Sequence, residues 1–212
     1  MNRILLRDTR GLAAMEFALT LPILLTIIVS GMETANYAIA TLRVSQIAAT
    51  TADNAARVRD SIGEADVNEV LQGGRIVGEP MDFATRGRIV LSDVMPNGLT
   101  GSSAGQKILW QRCTGALNTT ESAPRYGIQG KGESDGTLPA MGSAGRTLAA
   151  SANSVMMFAE VTYRYKPLVS ALVFGTPIMR SEASFTVRER KSEILTAGAS
   201  GTATSVCSRY DL

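Results

Sequence analysis

The chain contains no histidine. That absence removes Ser-His-Asp triads, Cys-His nucleophile pairs, the metalloprotease helix motif and every His-ligated zinc site, and with them most hydrolytic mechanisms. Cysteine is almost as scarce. Cys113 and Cys207 stand 94 positions apart, so they form neither a CxxC redox pair nor a four-thiolate metal site. Charge is sparse too, at 19% of residues against about 25% in ordinary soluble domains. The net charge of +2 is accounted for by Arg3, Arg7 and Arg10 set against Asp8 in the first eleven positions. The remainder is formally neutral and offers no basic footprint for a phosphate backbone, so nucleic acid is not an expected partner. No motif calls for a cofactor or a metal, and the reading is of a non-enzyme.

What the chain does have is one long apolar run. Leu12 to Met32 reads LAAMEFALTLPILLTIIVSGM, 21 residues in which Glu16 is the single charge and Pro22 the single strong helix breaker. As a helix it spans about 30 Å, the thickness of a bilayer's hydrocarbon core. Backbone groups in lipid must be satisfied within the segment, so a helix continuous across Pro22 is expected, with at most a local kink. The basic leader 1–11 should stay in the cytoplasm and the chain beyond the helix should be exported, giving an N-in, C-out topology. In an oxidising compartment two thiols of one domain form a bridge, and closing so long a loop contributes about 4 kcal/mol on the chain-entropy model. A Cys113–Cys207 disulfide is therefore the expectation, and two free, partly buried thiols the alternative.

Glu16 is the residue that demands an explanation. A carboxylate at mid-membrane costs about 3 kcal/mol on insertion scales, and less near the interface, so it calls for a cationic partner. A cut after Gly11 would place a new amine on Leu12 and make Glu16 the fifth residue of the mature chain.

The stretch RDTRGLAAMEFALTLPILLTIIVSGMETANYAIATLRVSQIAATTADNAARV resembles the TadE-like pseudopilins of the Tad (tight adherence, Flp-type) pilus machinery. The likeness covers residues 10 to about 58. It consists of a basic leader, Gly, small apolar residues, Glu-Phe-Ala-Leu, Leu-Pro, an apolar run, then a Glu and an aromatic, and finally an Ala-rich helix. It implies cleavage by a prepilin peptidase between Gly11 and Leu12. It also implies that Glu16 pairs with the N-terminal amine of a neighbouring pilin-like subunit, with Phe17 beside it in the assembly segment. The likeness further implies a single-pass protein of the bacterial inner membrane, its C-terminal domain periplasmic. Glu-Phe stands where the major pilins of this system carry Glu-Tyr. That departure, together with the chain's size, argues for a minor component.

Beyond the membrane, residues 33–72 read as an Ala-rich helical stem, with Tyr37 suited to the interface. Apolar and small residues at Val44, Ile47, Thr51, Ala55 and Val58 recur at helical spacing, and Ala48, Ala52 and Ala56 widen the stripe. Arg57, Arg59 and Asp60 read as a solvated end. A second short helix is expected over Glu64–Gln72, stopped by Gly73-Gly74. Residues 73–212 form the exported domain. Alternating stretches Gly87–Val94, Gln106–Cys113, Val155–Lys166 and Ile178–Arg190 read as strands with one packed and one solvated face. In the last of these Met179, Ala183, Phe185 and Val187 point one way, and Arg180, Glu182, Thr186 and Arg188 the other. Periodicity supports an α+β fold. The pilin-like plan, a long helix packed on an antiparallel sheet, is what the resemblance adds. Residues 114–153 and the tail from Ser192 read as surface loop.

Three further features weigh less. Gly127-Ile128-Gln129-Gly130-Lys131-Gly132 lacks the spacing and the Ser or Thr of a phosphate loop. Trp110 reads as core. Glu160 and Glu182 are a carboxylate pair better explained as solvated charges on a sheet face. The expected function is thus a minor pilin-like component assembling through helix packing. The alternative is a secreted or anchored envelope protein, carrying either an ordinary signal peptide cut near Ala38-x-Ala40 or an uncleaved signal anchor.

Overall fold

The computed structural model describes residues 10–143 and 145–210; Arg3, Arg7 and most of the leader 1–11 lie outside the described residues. The chain divides into two compact units. One contains Met1–Ile39 and Pro167–Gly175; the other contains Ala40–Lys166 and Thr176–Leu212.

A single helix, α1 (Arg10–Arg57), carries the whole apolar run and the stripe after it. Pro22 lies inside it without breaking it. The threonine hydroxyls of the first half bond back to the preceding turn: Thr20 to the Phe17 carbonyl at 3.2 Å, Thr26 to the Pro22 carbonyl at 2.8 Å and Thr34 to the Ser30 carbonyl at 2.8 Å. Hydroxyls that bond to their own helix can sit in an apolar solvent without stranding a donor. In the first unit the second segment forms a short helix, α2 (Ala171–Phe174), capped by the Ser170 hydroxyl, which accepts from the Leu172 N–H.

The second unit is built on a four-stranded antiparallel sheet of β1 (Gly87–Pro96), β2 (Gln106–Thr114), β3 (Met156–Arg164) and β4 (Ile178–Thr186), in the order β2-β1-β3-β4. These are the four strands expected from alternation. Val44, Ile47, Ala48, Thr51, Ala52 and Ala55 of α1 are buried against one face of the sheet, where Ile89, Leu91, Trp110, Met157, Ala159, Val161 and Tyr163 complete the core. Small side chains along the stripe let helix and sheet approach closely. Arg57 and Arg59 are exposed, as a solvated end requires.

Three expectations need correction. First, the helix after α1, α3 (Glu64–Gly78), runs through Gly73-Gly74 instead of stopping there. A Cβ on Gly74 would stand 2.6 Å from Thr51 Oγ1 and 2.7 Å from Ile89 Cδ1. Gly74 is thus a point of close approach between helix and core, and the glycine serves packing, not termination.

Second, the sheet has no fully solvated face. The segment 114–153 folds over it, and Leu138, Met141 and Ala150 form a second cluster with Val94, Ile108, Met156 and Phe158. Asn97 organises this cover: its amide donates to the carbonyls of Ser103, Gly132 and Asp135, and its oxygen accepts from the N–H groups of Leu99 and Gly105.

Third, the tail is not all loop. β5 (Arg190–Thr196) pairs in parallel with β6 (Asp60–Gly63), the latter lying between α1 and α3. Asp60 and Glu189 both take left-handed backbone, φ 58° and 56°, where these strands begin. The fully buried Arg190 side chain turns to the end of α1, donating to the carbonyls of Ala55 and Val58 and pairing with Glu193 at 2.9 Å. A guanidinium there satisfies terminal carbonyls and complements the negative end of the helix dipole.

The rest of the tail is tied down by Cys113–Cys207, which are disulfide-bonded with Cα atoms 4.7 Å apart, and by the buried Arg88. Arg88 donates to the carbonyls of Gly115, Cys207 and Arg209 and lies 3.9 Å over the Tyr210 ring.

The neighbouring glycines of α3 give a paired test. A Cβ on Gly73 meets nothing within 4 Å, so Gly73→Ala should stabilise the protein by up to about 1 kcal/mol through helix propensity. Gly74→Ala should destabilise it by about 1–3 kcal/mol through overpacking. Equilibrium urea unfolding of the two variants in detergent checks both signs.

Candidate assembly site

The first unit presents an apolar helix half that is exposed. Every residue of α1 from Gly11 to Ile28 is exposed, including Leu12, Met15, Phe17, Leu19, Ile23 and Ile27. A helix apolar around its whole circumference needs an apolar surrounding, either lipid or other helices. Among the described residues this is the one helix long and apolar enough to cross a membrane. Gly11 and Leu12 lie in its first turn, and Glu16 and Phe17 are exposed one turn further on. Leu12, Glu16 and Thr20 share a helix face by their spacing. The carboxylate therefore stands on the uncovered surface, one turn from the residue whose amine a cut after Gly11 would expose.

Glu33, just past the apolar run, behaves differently. It is buried, and its carboxylate accepts from the N–H groups of Leu168 at 3.0 Å and Val169 at 3.1 Å. In the sequence Glu33 is only the acidic residue after the apolar run; the feature that points to its task is the uncharged run Pro167–Gly175 between two strands.

The carboxylate pair of the second unit is no solvated patch. Glu160 and Glu182 face each other across β3 and β4, under the segment 114–153. Glu160 accepts from the Arg125 N–H at 3.1 Å; Glu182 accepts from the Tyr126 hydroxyl at 2.8 Å and from the Ser143 hydroxyl at 3.2 Å. Burial is the main cause that pushes Glu160 up to about 7, with the charge of Glu182 acting in the same direction. Burial, then the bond to Glu182, pushes Tyr126 up to about 12. Beside them lies an open cavity of about 450 Å³ lined by Arg125, Arg146, Arg180 and Glu182. The carboxylates fasten the cover to the sheet.

Gly127–Gly132 has a similar structural task. The Gly130 N–H donates to the Ile108 carbonyl, and the Lys131 carbonyl accepts from the Ile108 N–H, so the loop extends the edge of β2. Trp110 is core. Among the described residues no group of three or more His, Cys, Asp or Glu could hold a metal ion.

Residues 11–57 match the family of TadE-like proteins. No curated protein and no solved structure matches the chain. The matched segment ends at Arg57, where α1 ends, so the likeness is to the helix and not to the sheet domain. It speaks for a Tad-pilus-related, pilin-like protein with an apolar N-terminal helix, and such a helix speaks for membrane anchoring.

The raised Glu160 sets a pH dependence. The fold holds its proton up to about 7 whereas an ordinary glutamate loses it at 4.5, so the unfolded chain binds fewer protons between those values. The contribution of Glu160 to stability is therefore greatest below 4.5, falls as pH rises towards about 7 and levels off above it. Buried Asp93, also raised chiefly by burial, acts in the same sense. Thermal unfolding in detergent should give a midpoint several degrees lower at pH 8 than at pH 5, and Glu160→Gln should narrow that difference.

Proposed function

We propose that this chain is a minor pilin-like component of Tad-type pilus assembly. In this reading 1–11 is a cytoplasmic leader, 12–32 spans the inner membrane and the domain from 73 onward is periplasmic. A prepilin peptidase cuts between Gly11 and Leu12, and the released chain packs by its helix against other pilin-like subunits. Glu16 is neutralised there by the Leu12 amine of a neighbour, with Phe17 packing alongside. The role is structural, not enzymatic.

One observation carries the reading: the segment matching TadE-like proteins, residues 11–57, contains the apolar run Gly11–Ile28 in which every residue is exposed, and that run bears a single carboxylate, Glu16. Packed helices give that surface somewhere to go, and an amine gives the carboxylate a counter-charge. This pairing would be strong in a low-dielectric surrounding.

The mass of the protein isolated from membranes tests processing. Loss of Met1 to Gly11 is the expected result. An intact leader would refute the cut, and a chain beginning near Thr41 would favour an ordinary signal peptide. For assembly, Glu16→Ala should leave membrane insertion and the domain's disulfide unchanged while co-purification with other pilin-like subunits falls at least tenfold. Undiminished co-purification would overturn the pairing.

A further inference from the structure

We infer that Pro167–Gly175 is a second membrane-contacting element, seated in the interfacial layer of the leaflet at which α1 leaves the bilayer. The inference rests on the reading that residues 12–32 span the membrane. The segment PLVSALVFG carries no charge, and exposed Lys166 precedes it. Its aliphatic side chains point away from the protein: Leu172 is 99% exposed, Val173 74%, Leu168 58% and Val169 49%. Four large aliphatics together on a nine-residue projection are not what a water-facing turn between two strands requires.

Its place in the fold fixes the occupant. The segment belongs to the same compact unit as the apolar half of α1, and the Glu33 carboxylate holds it through the N–H groups of Leu168 and Val169. Glu33 immediately follows the apolar run 12–32, so the tether sits at the border between hydrocarbon and headgroups. Five of the segment's backbone N–H groups are bonded within the protein. Leu168 and Val169 donate to Glu33, Leu172 donates to the Ser170 hydroxyl, and the N–H groups of Phe174 and Gly175 donate to the carbonyls of Ser170 and Ala171. Pro167 has no N–H to satisfy. Irregular backbone is tolerated at membrane depth where its polar groups are bonded within the protein. Apolar side chains at this level bury about 5–10 Å into the boundary between headgroups and acyl chains, and Lys166 is placed to meet anionic headgroups.

The test is depth-dependent fluorescence quenching on the full chain, reconstituted at low protein density in phosphatidylcholine–phosphatidylglycerol vesicles containing brominated lipid. The single native tryptophan, Trp110, is buried in the core and supplies the background. Leu172→Trp adds a reporter where the fold makes almost no contact, so the variant should fold. Its added emission should be at least halved by lipid brominated near the top of the acyl chain, and reduced less by lipid brominated near the chain end. Ile23→Trp reports the helix centre and should show the opposite preference. Quenching at Ile23→Trp without quenching at Leu172→Trp would overturn the inference and leave the spanning helix standing. Absence of quenching at Ile23→Trp would overturn both. Emission from Leu172→Trp that ignores brominated lipid but shifts to the blue as protein density rises would assign the segment to a sister subunit, and would likewise refute the lipid contact.

Discussion

Apolar surface needs an apolar neighbour, and α1 meets this need in two ways along one helix. From Ala40 onward it offers a narrow stripe of small residues, and the chain itself supplies the partner, burying Val44, Ile47, Ala48, Thr51, Ala52 and Ala55 against the sheet and α3. From Gly11 to Ile28 it is apolar but for Glu16 and a few hydroxyls, and every residue is exposed. The first arrangement makes a domain. The second makes an element that is complete only in lipid or among other helices. The division between the two units falls at Ile39, where the helix passes from one regime to the other.

Polar groups at the margins add to what the core of the second unit supplies. Arg190 closes the end of α1, Arg88 holds the tail through the carbonyls of Cys207 and Arg209 and the ring of Tyr210, and Asn97 binds two carbonyls of the cover segment and three backbone groups of the loop after β1. Each is a side chain satisfying backbone groups of an irregular segment, the substitute such segments need for ladder hydrogen bonds. This is how 114–153 can pack on a sheet with little secondary structure of its own.

Periodicity made much of this visible in advance. The apolar run, the stripe from Val44 to Val58 and the four alternating strands are local patterns, and local patterns are written in consecutive residues. What stayed hidden depends on distant partners. Gly73-Gly74 looks like a stop until Thr51 and Ile89 are seen beside Gly74. The strand Arg190–Thr196 follows β4 closely, yet it pairs with a four-residue strand more than a hundred positions earlier. Glu160 and Glu182 look solvated because the covering residues Tyr126, Leu138 and Met141 follow no regular spacing. In the first unit Glu16 was legible as one charge in an apolar run. The task of Glu33 was not, because its partners are two backbone N–H groups far along the chain.

The parallel pair β5 and β6 also sets an order of events. The end of α1, the strand at Asp60–Gly63 and Cys113 all wait for residues between Arg190 and Arg209, which are synthesised well after them. With such long-range closure the second unit cannot complete its fold until those residues have been made. Until they are made, the edge at Asp60–Gly63 stays unpaired and open to strands of other chains.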